Sequence, residues 1–116
     1  MADREREDHF TPRINAARAA QYVSTRTHVR LVCKLDRFIE TDRARVEAAD
    51  GGEMFVVSKG KTFGSTFIEI VGPLVDANTI KAEMVLSLGD ELDMKLVNDV
   101  IELSHDPRFK SVFTSE

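Results

Sequence analysis

The chain has 116 residues, 42% hydrophobic and 31% charged, with a formal net charge of -4 and a single cysteine, Cys33. That length supports one domain with its own core but not two. No run approaches the ~18 apolar residues of a membrane span, residues 1–10 are too polar for a signal peptide, and one cysteine excludes an internal disulfide framework and fits a reducing compartment. Cationic residues are spread thinly. Residues 1–26 carry five Arg against four acids, 27–89 eight Lys/Arg against nine, and 90–116 three against seven. The phosphate-neutralising stripe of a dedicated nucleic-acid binder is missing.

Residues 1–10 read as a disordered, mixed-charge arm, and Pro12 holds the chain around it extended. Asn15 suits the N-cap of a short alanine-rich helix over 16–21, with Tyr22 and Val23 closing onto the body. From Thr27 the period changes to two. Val29, Leu31, Cys33 and Leu35 share one face of a strand, and Arg30, Lys34 and Asp36 the other. Phe38 and Ile39 extend this strand to a turn at 40–42, and a second strand over 43–48 turns Ala44, Val46 and Ala48 inward. Asp50-Gly51-Gly52 is a hairpin signal before a third strand over 53–57. After a loop over 58–65, a fourth strand over 66–71 points Ile68 and Ile70 inward and Phe67 outward beside Glu69, until Gly72-Pro73 interrupts it. The fifth, over 79–88, presents Ile80, Ala82, Met84, Leu86 and Leu88 on its inner face. The pattern predicts a mostly β fold: a five-stranded OB-fold barrel with a short N-terminal helix and a C-terminal amphipathic helix.

That last helix, residues 93–104, has an unusually broad apolar side. Met94, Leu96, Val97, Val100, Ile101 and Leu103 cover about 180° of it, where a stripe of about 100° suffices to lie on one's own domain. Lys95, Asn98, Asp99 and Glu102 gather on the other side, Asp93 suits the N-cap, and Pro107 stops the helix. The width fits either a single well-buried helix or one that offers a second face to a partner. Phe109, Val112 and Phe113 beyond it fold back onto the body or a neighbour.

Catalytic and metal chemistry find no support. Gly60-Lys61-Thr62 lacks the glycine at position 55, which is Phe, and the following helix that a phosphate-binding loop requires. His9, His28 and His105 are scattered and Cys33 points inward, so no metal site is expected. Ser104-His105-Asp106 are consecutive at a helix end and cannot orient one another as a triad. We expect no enzyme, no cofactor and no small-molecule ligand. For stacking on single-stranded nucleic acid the aromatic candidates are Phe38, Phe55, Phe63 and Phe67. Phe63, beside Lys59 and Lys61, is the best placed, and Arg43 and Arg45 add a small basic supplement; together these five residues are candidates for a minor DNA contact.

Several segments, taken in order, resemble one family. They are Pro12-Arg-Ile-Asn-Ala16, Cys33-Lys-Leu-Asp-Arg-Phe-Ile39, Gly72 after Ile68-Glu-Ile-Val71, and Asp93-Met-Lys-Leu-Val-Asn-Asp-Val100 followed by His105-Asp-Pro107 and Phe109. From about residue 11 the chain resembles the small subunit of replication protein A, the replication factor A protein 3 family, part of the eukaryotic heterotrimer that coats single-stranded DNA. The resemblance implies a barrel over 11–91 and an oligomerisation helix and tail over 92–116. That helix would join one from the large and one from the middle subunit in a three-helix bundle. Its interface residues would be Met94, Leu96, Val97, Val100, Ile101 and Leu103, with Phe109 and Phe113 near its end. The resemblance further implies a nuclear protein of DNA replication, repair and recombination, with DNA held mainly by the other two subunits. The alternatives are an autonomous single-stranded nucleic-acid-binding module and a self-associating adaptor that uses the same helix.

Overall fold

Local rules account for the first elements of the structure, a computed structural model in which residues 11–109 are described. Strand β1 (Arg13–Ile14) pairs parallel with Arg30 and Leu31 of the next strand. Asn15 then caps helix α1 (Ala16–Ala19), its Oδ1 accepting from the Arg18 amide at 3.1 Å. The chain tightens into a 3-10 turn (Ala20–Tyr22), and Tyr22 and Val23 pack against the core. Strands β2 (Val29–Glu40), β3 (Arg43–Ala48) and β4 (Glu53–Val57) form an antiparallel meander. Gly51, at φ +87°, supplies the left-handed residue that the β3–β4 turn needs. Strands β5 (Phe67–Gly72), β6 (Leu74–Asp76), β7 (Thr79–Lys81) and β8 (Met84–Gly89) follow, and helix α2 (Met94–Ser104) ends the described chain.

The inward phases converge on one core. Val29, Leu31 and Cys33 of β2 meet Val46, Met54, Val56, Ile68, Ile70 and Ile80, all buried. Burial raises the pKa of the Cys33 thiol and the charge of Glu69 adds to the effect, so the thiol stays protonated. Cys33 acts as a small hydrophobe.

The expected five-stranded closed barrel is not what forms. Eight strands make one sheet in the order β6-β7-β4-β3-β2-β5-β8, with β1 added beside β2, and among the described residues no ladder joins the two ends. The cause lies in the segment expected as a single fifth strand over 79–88. It breaks at Ala82 and Glu83, whose consecutive amides donate to different strands, Ala82 to Val57 O and Glu83 to Val71 O, each at 2.9 Å. β7 therefore runs parallel to β4, and β8 antiparallel to β5. The break also changes which side chains face in, because strand side chains alternate with a period of two. Ile80 and Ala82 are buried as expected, but Val85 packs on the core instead of its neighbours. Met84, Leu86 and Leu88 are exposed rather than inner-face residues.

Phe67 departs from expectation too. It and Glu69 are both buried, since β5 lies between β2 and β8. Lys34 Nζ sits 6.0 Å from the Phe67 ring centroid. Arg13 and Arg30 bracket the buried Glu69 carboxylate at 2.8 and 3.8 Å. Phe67 is thereby removed as a stacking platform.

Gly72 permits the close approach that brings β5 and β7 together. A Cβ there would lie 1.9 Å from the Lys81 carbonyl oxygen and 3.2 Å from the Glu83 amide nitrogen, both backbone atoms. Gly72→Ala should lower stability by about 1–3 kcal/mol through this overpacking, measured as a fall in the urea midpoint. An unchanged midpoint would contradict the approach.

Candidate functional site

Helix α2 is well formed by local chemistry. Asp93 Oδ1 accepts from the Leu96 amide at 3.1 Å, and Lys95 reaches Asp99 one turn on at 3.3 Å. At the other end Ser104 Oγ donates to the Ile101 carbonyl at 2.6 Å, and His105 Nδ1 lies 2.9 Å from that same oxygen. A carbonyl only accepts, so Nδ1 donates to it, while Nε2 lies 3.1 Å from Tyr22 Oη. Asp106 is engaged with Arg108 at 2.9 Å. Ser104 Oγ also lies 3.3 Å from His105 Nδ1, but both groups are turned to the Ile101 carbonyl. With Asp106 held by Arg108, the three finish the helix and are not aligned as nucleophile, base and orienter.

The way α2 docks is less expected. Its polar side, not its apolar face, makes the directed contacts with the body. Asn15 Nδ2 donates to Asn98 Oδ1 at 2.7 Å and to Glu102 Oε2 at 2.8 Å, and Asn15 is itself only 1% exposed. Arg18 grips the same carboxylate with two nitrogens, Nη2 to Oε1 at 2.6 Å and Nε to Oε2 at 3.1 Å. The Arg18 hydrogen bonds, then that of Asn15, pull the Glu102 carboxyl down to about 2 from 4.5. Burial raises the pKa of the Tyr22 phenol, with the nearby Arg18 charge opposing. Ile101 alone among the helix residues is buried, at 1% exposure. Met94 and Val97 are half-buried.

What remains is an apolar stripe open to solvent: Leu96 60%, Val100 41% and Leu103 43% exposed, with Phe109 exposed beyond the helix end. Leu103 also borders an open groove lined by Arg18, Asp99, Glu102 and His105. Residues 96, 100 and 103 stand at i, i+4 and i+7, the spacing by which a helix presents one ridge to a partner. Sequence periodicity identified the apolar residues but could not see that Asn15 and Arg18 would claim the polar side. Phe113 and the arm over 1–10, with His9, lie outside the described residues.

The residues considered for nucleic acid gather at the other end of the sheet, where Ser58 N donates to Asp42 O and ties the β4 end to the β2–β3 turn. Phe63 is half-buried against the core and stacks obliquely on the exposed Phe38, ring centroids 5.1 Å apart. Arg43 lies 4.9 Å from the Phe55 ring centroid. Arg45 is paired with Asp36 and Glu53, and Lys59 lies 3.9 Å from Glu83. Lys61 is exposed. Much of the cationic charge is compensated. Among the described residues no group of His, Cys, Asp and Glu could hold a metal ion, and no helix is long and apolar enough to cross a membrane.

Comparison with known proteins places this geometry. The family model described as Replication factor A protein 3 matches residues 7–113. Among solved structures, the fold is similar to a chain of the U. maydis replication protein A bound to single-stranded DNA, with TM-score 0.79, 26% identity, and coverage of 90% of this chain and 96% of that one. It is also similar in fold to a chain of the S. pombe Stn1–Ten1 complex, with TM-score 0.62, 7% identity, and coverage of 79% and 89%. Among curated protein sequences none matches significantly.

The docking geometry separates helix residues by their effect on the isolated chain. Ile101→Ala should destabilise it by about 2–4 kcal/mol, whereas Leu96→Ala should change it by less than about 0.5 kcal/mol; chemical denaturation of both variants checks this. The Glu102 anchor should be complete above pH 4.5 and weaken as the pH falls towards about 2, because a depressed carboxyl pKa gives stability that protonation removes. Helix amide protection followed against pH should show this loss, and Glu102→Gln should abolish it.

Proposed function

The chain belongs to the replication factor A protein 3 family, and from that premise we propose that it is the small, non-catalytic subunit of a replication protein A heterotrimer, acting in DNA replication, repair and recombination in the nucleus. Its work is structural. Helix α2 joins one helix from the large and one from the middle subunit in a three-helix bundle, and so keeps their DNA-binding domains within reach of one single strand.

The observation that carries this reading is the exposed ridge of Leu96, Val100 and Leu103 on a helix whose polar side is already committed. Apolar burial contributes about 25 cal/mol per Å², so an open ridge on an otherwise docked helix favours a partner. Met94 and Val97 flank the ridge, and Phe109 lies exposed past the helix end. Ile101, buried against its own chain, serves the interface by fixing the helix. The similar U. maydis protein is described as bound to single-stranded DNA, and the complex built on this chain takes the same ligand, mainly through its other subunits. The compensated charges of Arg45 and Lys59 support that division.

A secondary contact with the strand is assigned to Lys59, Lys61, Phe63, Arg43 and Arg45, on the strength of the Phe38–Phe63 ring pair and of the exposed Lys61 two residues from Phe63 in the chain. Lys61→Ala in the complex should then reduce the slope of log affinity against log salt by about 1 or less; an unchanged slope removes Lys61 from the contact.

Leu96→Asp and Val100→Asp should each leave the isolated chain folded and weaken assembly with the other two subunits about 100-fold or more. Mass measurement of the mixture reads this directly. Assembly that survives both substitutions would exclude the ridge as the interface. A stable homodimer of the isolated chain would instead favour the self-associating adaptor, and tight single-strand binding by the isolated chain the autonomous module.

A further inference from the structure

We propose that Asn15, Arg18 and Tyr22 form a latch whose role is to set the rotation of α2, and hence which face the helix offers for assembly. The proposal rests on the reading of the Leu96–Val100–Leu103 ridge as a partner surface. It assigns a purpose to the N-terminal turn, which that reading leaves without one.

An amphipathic helix tethered to a domain is driven by the hydrophobic effect to turn its widest apolar face inward. Here only one edge of that face, Ile101 with the half-buried Met94 and Val97, turns inward, while Leu96, Val100 and Leu103 stand in solvent. Rolling α2 to bury them would carry Asn98 and Glu102 away from the body. Asn15, 1% exposed, would then lose the acceptors of both its amide hydrogens, and a buried polar group without partners is strongly unfavourable. The same roll would part Arg18 from Glu102 and Tyr22 from His105. Polar contacts are directional where apolar ones are not, so three side chains from one turn fix the angle of a helix more than 80 residues away in sequence.

Asn15 is also anchored on its own side. Its Oδ1 caps α1, and the Arg18 amide that it binds belongs to the residue whose guanidinium holds Glu102. The latch is therefore rigid at its base, and because Arg18, Asn98 and Glu102 are not part of the sheet core, exchanging them loosens α2 without touching that core. Asn15, Arg18 and Tyr22 are positioning residues: they act on the partner through α2.

The test uses the full chain and its complex with the other two subunits. Arg18→Glu and Glu102→Arg should each weaken assembly about tenfold or more, and the double swap should recover part of that loss, Asn15 Nδ2 keeping only its Asn98 acceptor. Hydrogen exchange of the isolated variants should show faster exchange in α2 with unchanged protection in β2 and β5. Asn98→Ala and Tyr22→Phe, which remove single latch contacts without adding a charge, should show the same pattern more weakly. They decide the matter if a charge reversal unfolds the chain. The latch is overturned if all four variants assemble normally while Leu96→Asp does not. If Leu96→Asp itself assembles normally, the partner reading falls instead. In that case unchanged α2 exchange in the variants would overturn the latch as well.

Discussion

Asn15 is a short amide in a buried position, and its side chain makes three hydrogen bonds with three other residues. Its oxygen caps the first helix, and its nitrogen donates to both Asn98 and Glu102 of the last. The two helices are thereby set against each other by directed bonds, and Arg18 doubles the hold on Glu102 with a two-pronged ion pair. Most of what is distinctive in the molecule depends on this constraint. Apolar contact alone would press the middle of the broad apolar side of α2 inward; the polar network holds the helix so that only the Ile101 edge of that side is buried. The ridge left outside is the surface on which the proposed assembly depends.

The sheet provides the platform for this arrangement. Its core is continuous, but its edges are shaped by the break at Ala82–Glu83, where successive amides serve β4 and then β5. Gly72 makes the break sterically feasible, since no side chain fits between it and the Lys81 carbonyl. One result is that Met84, Leu86 and Leu88 of β8 are exposed. Separately, β5 is buried on both faces and holds Glu69 inside with Arg13 of β1 and Arg30 of β2. Arginines that a count of cationic residues would credit to nucleic-acid binding are consumed in structural pairs.

Much of the local structure was legible in the chain itself. Both N-caps follow from side-chain chemistry at Asn15 and Asp93, and the meander of β2, β3 and β4 follows from alternation and the Gly51 turn. The inward faces of β2 and β3 were equally plain. The expected closed barrel failed because period two persists across 79–88 even though the backbone changes partner in the middle. Alternation reports which side chains share a face; it carries nothing about which strand receives each hydrogen bond. Phe67 was misjudged for a related reason: its outward phase was read correctly, but cover from Lys34 and the flanking strands lies in other segments.

Legible from the residues alone were the two helices, the strands β2 to β5, and a C-terminal helix whose apolar side is broad enough for either a well-buried position or a second face. These are short-range properties, set by backbone sterics, side-chain periodicity and capping within a few residues. Which part of that surface stays free is set by packing between distant segments. Ile101 turns inward, and Leu96, Val100 and Leu103 turn outward. The choice is made by hydrogen bonds between residues more than 80 positions apart, whose pairing no local pattern encodes.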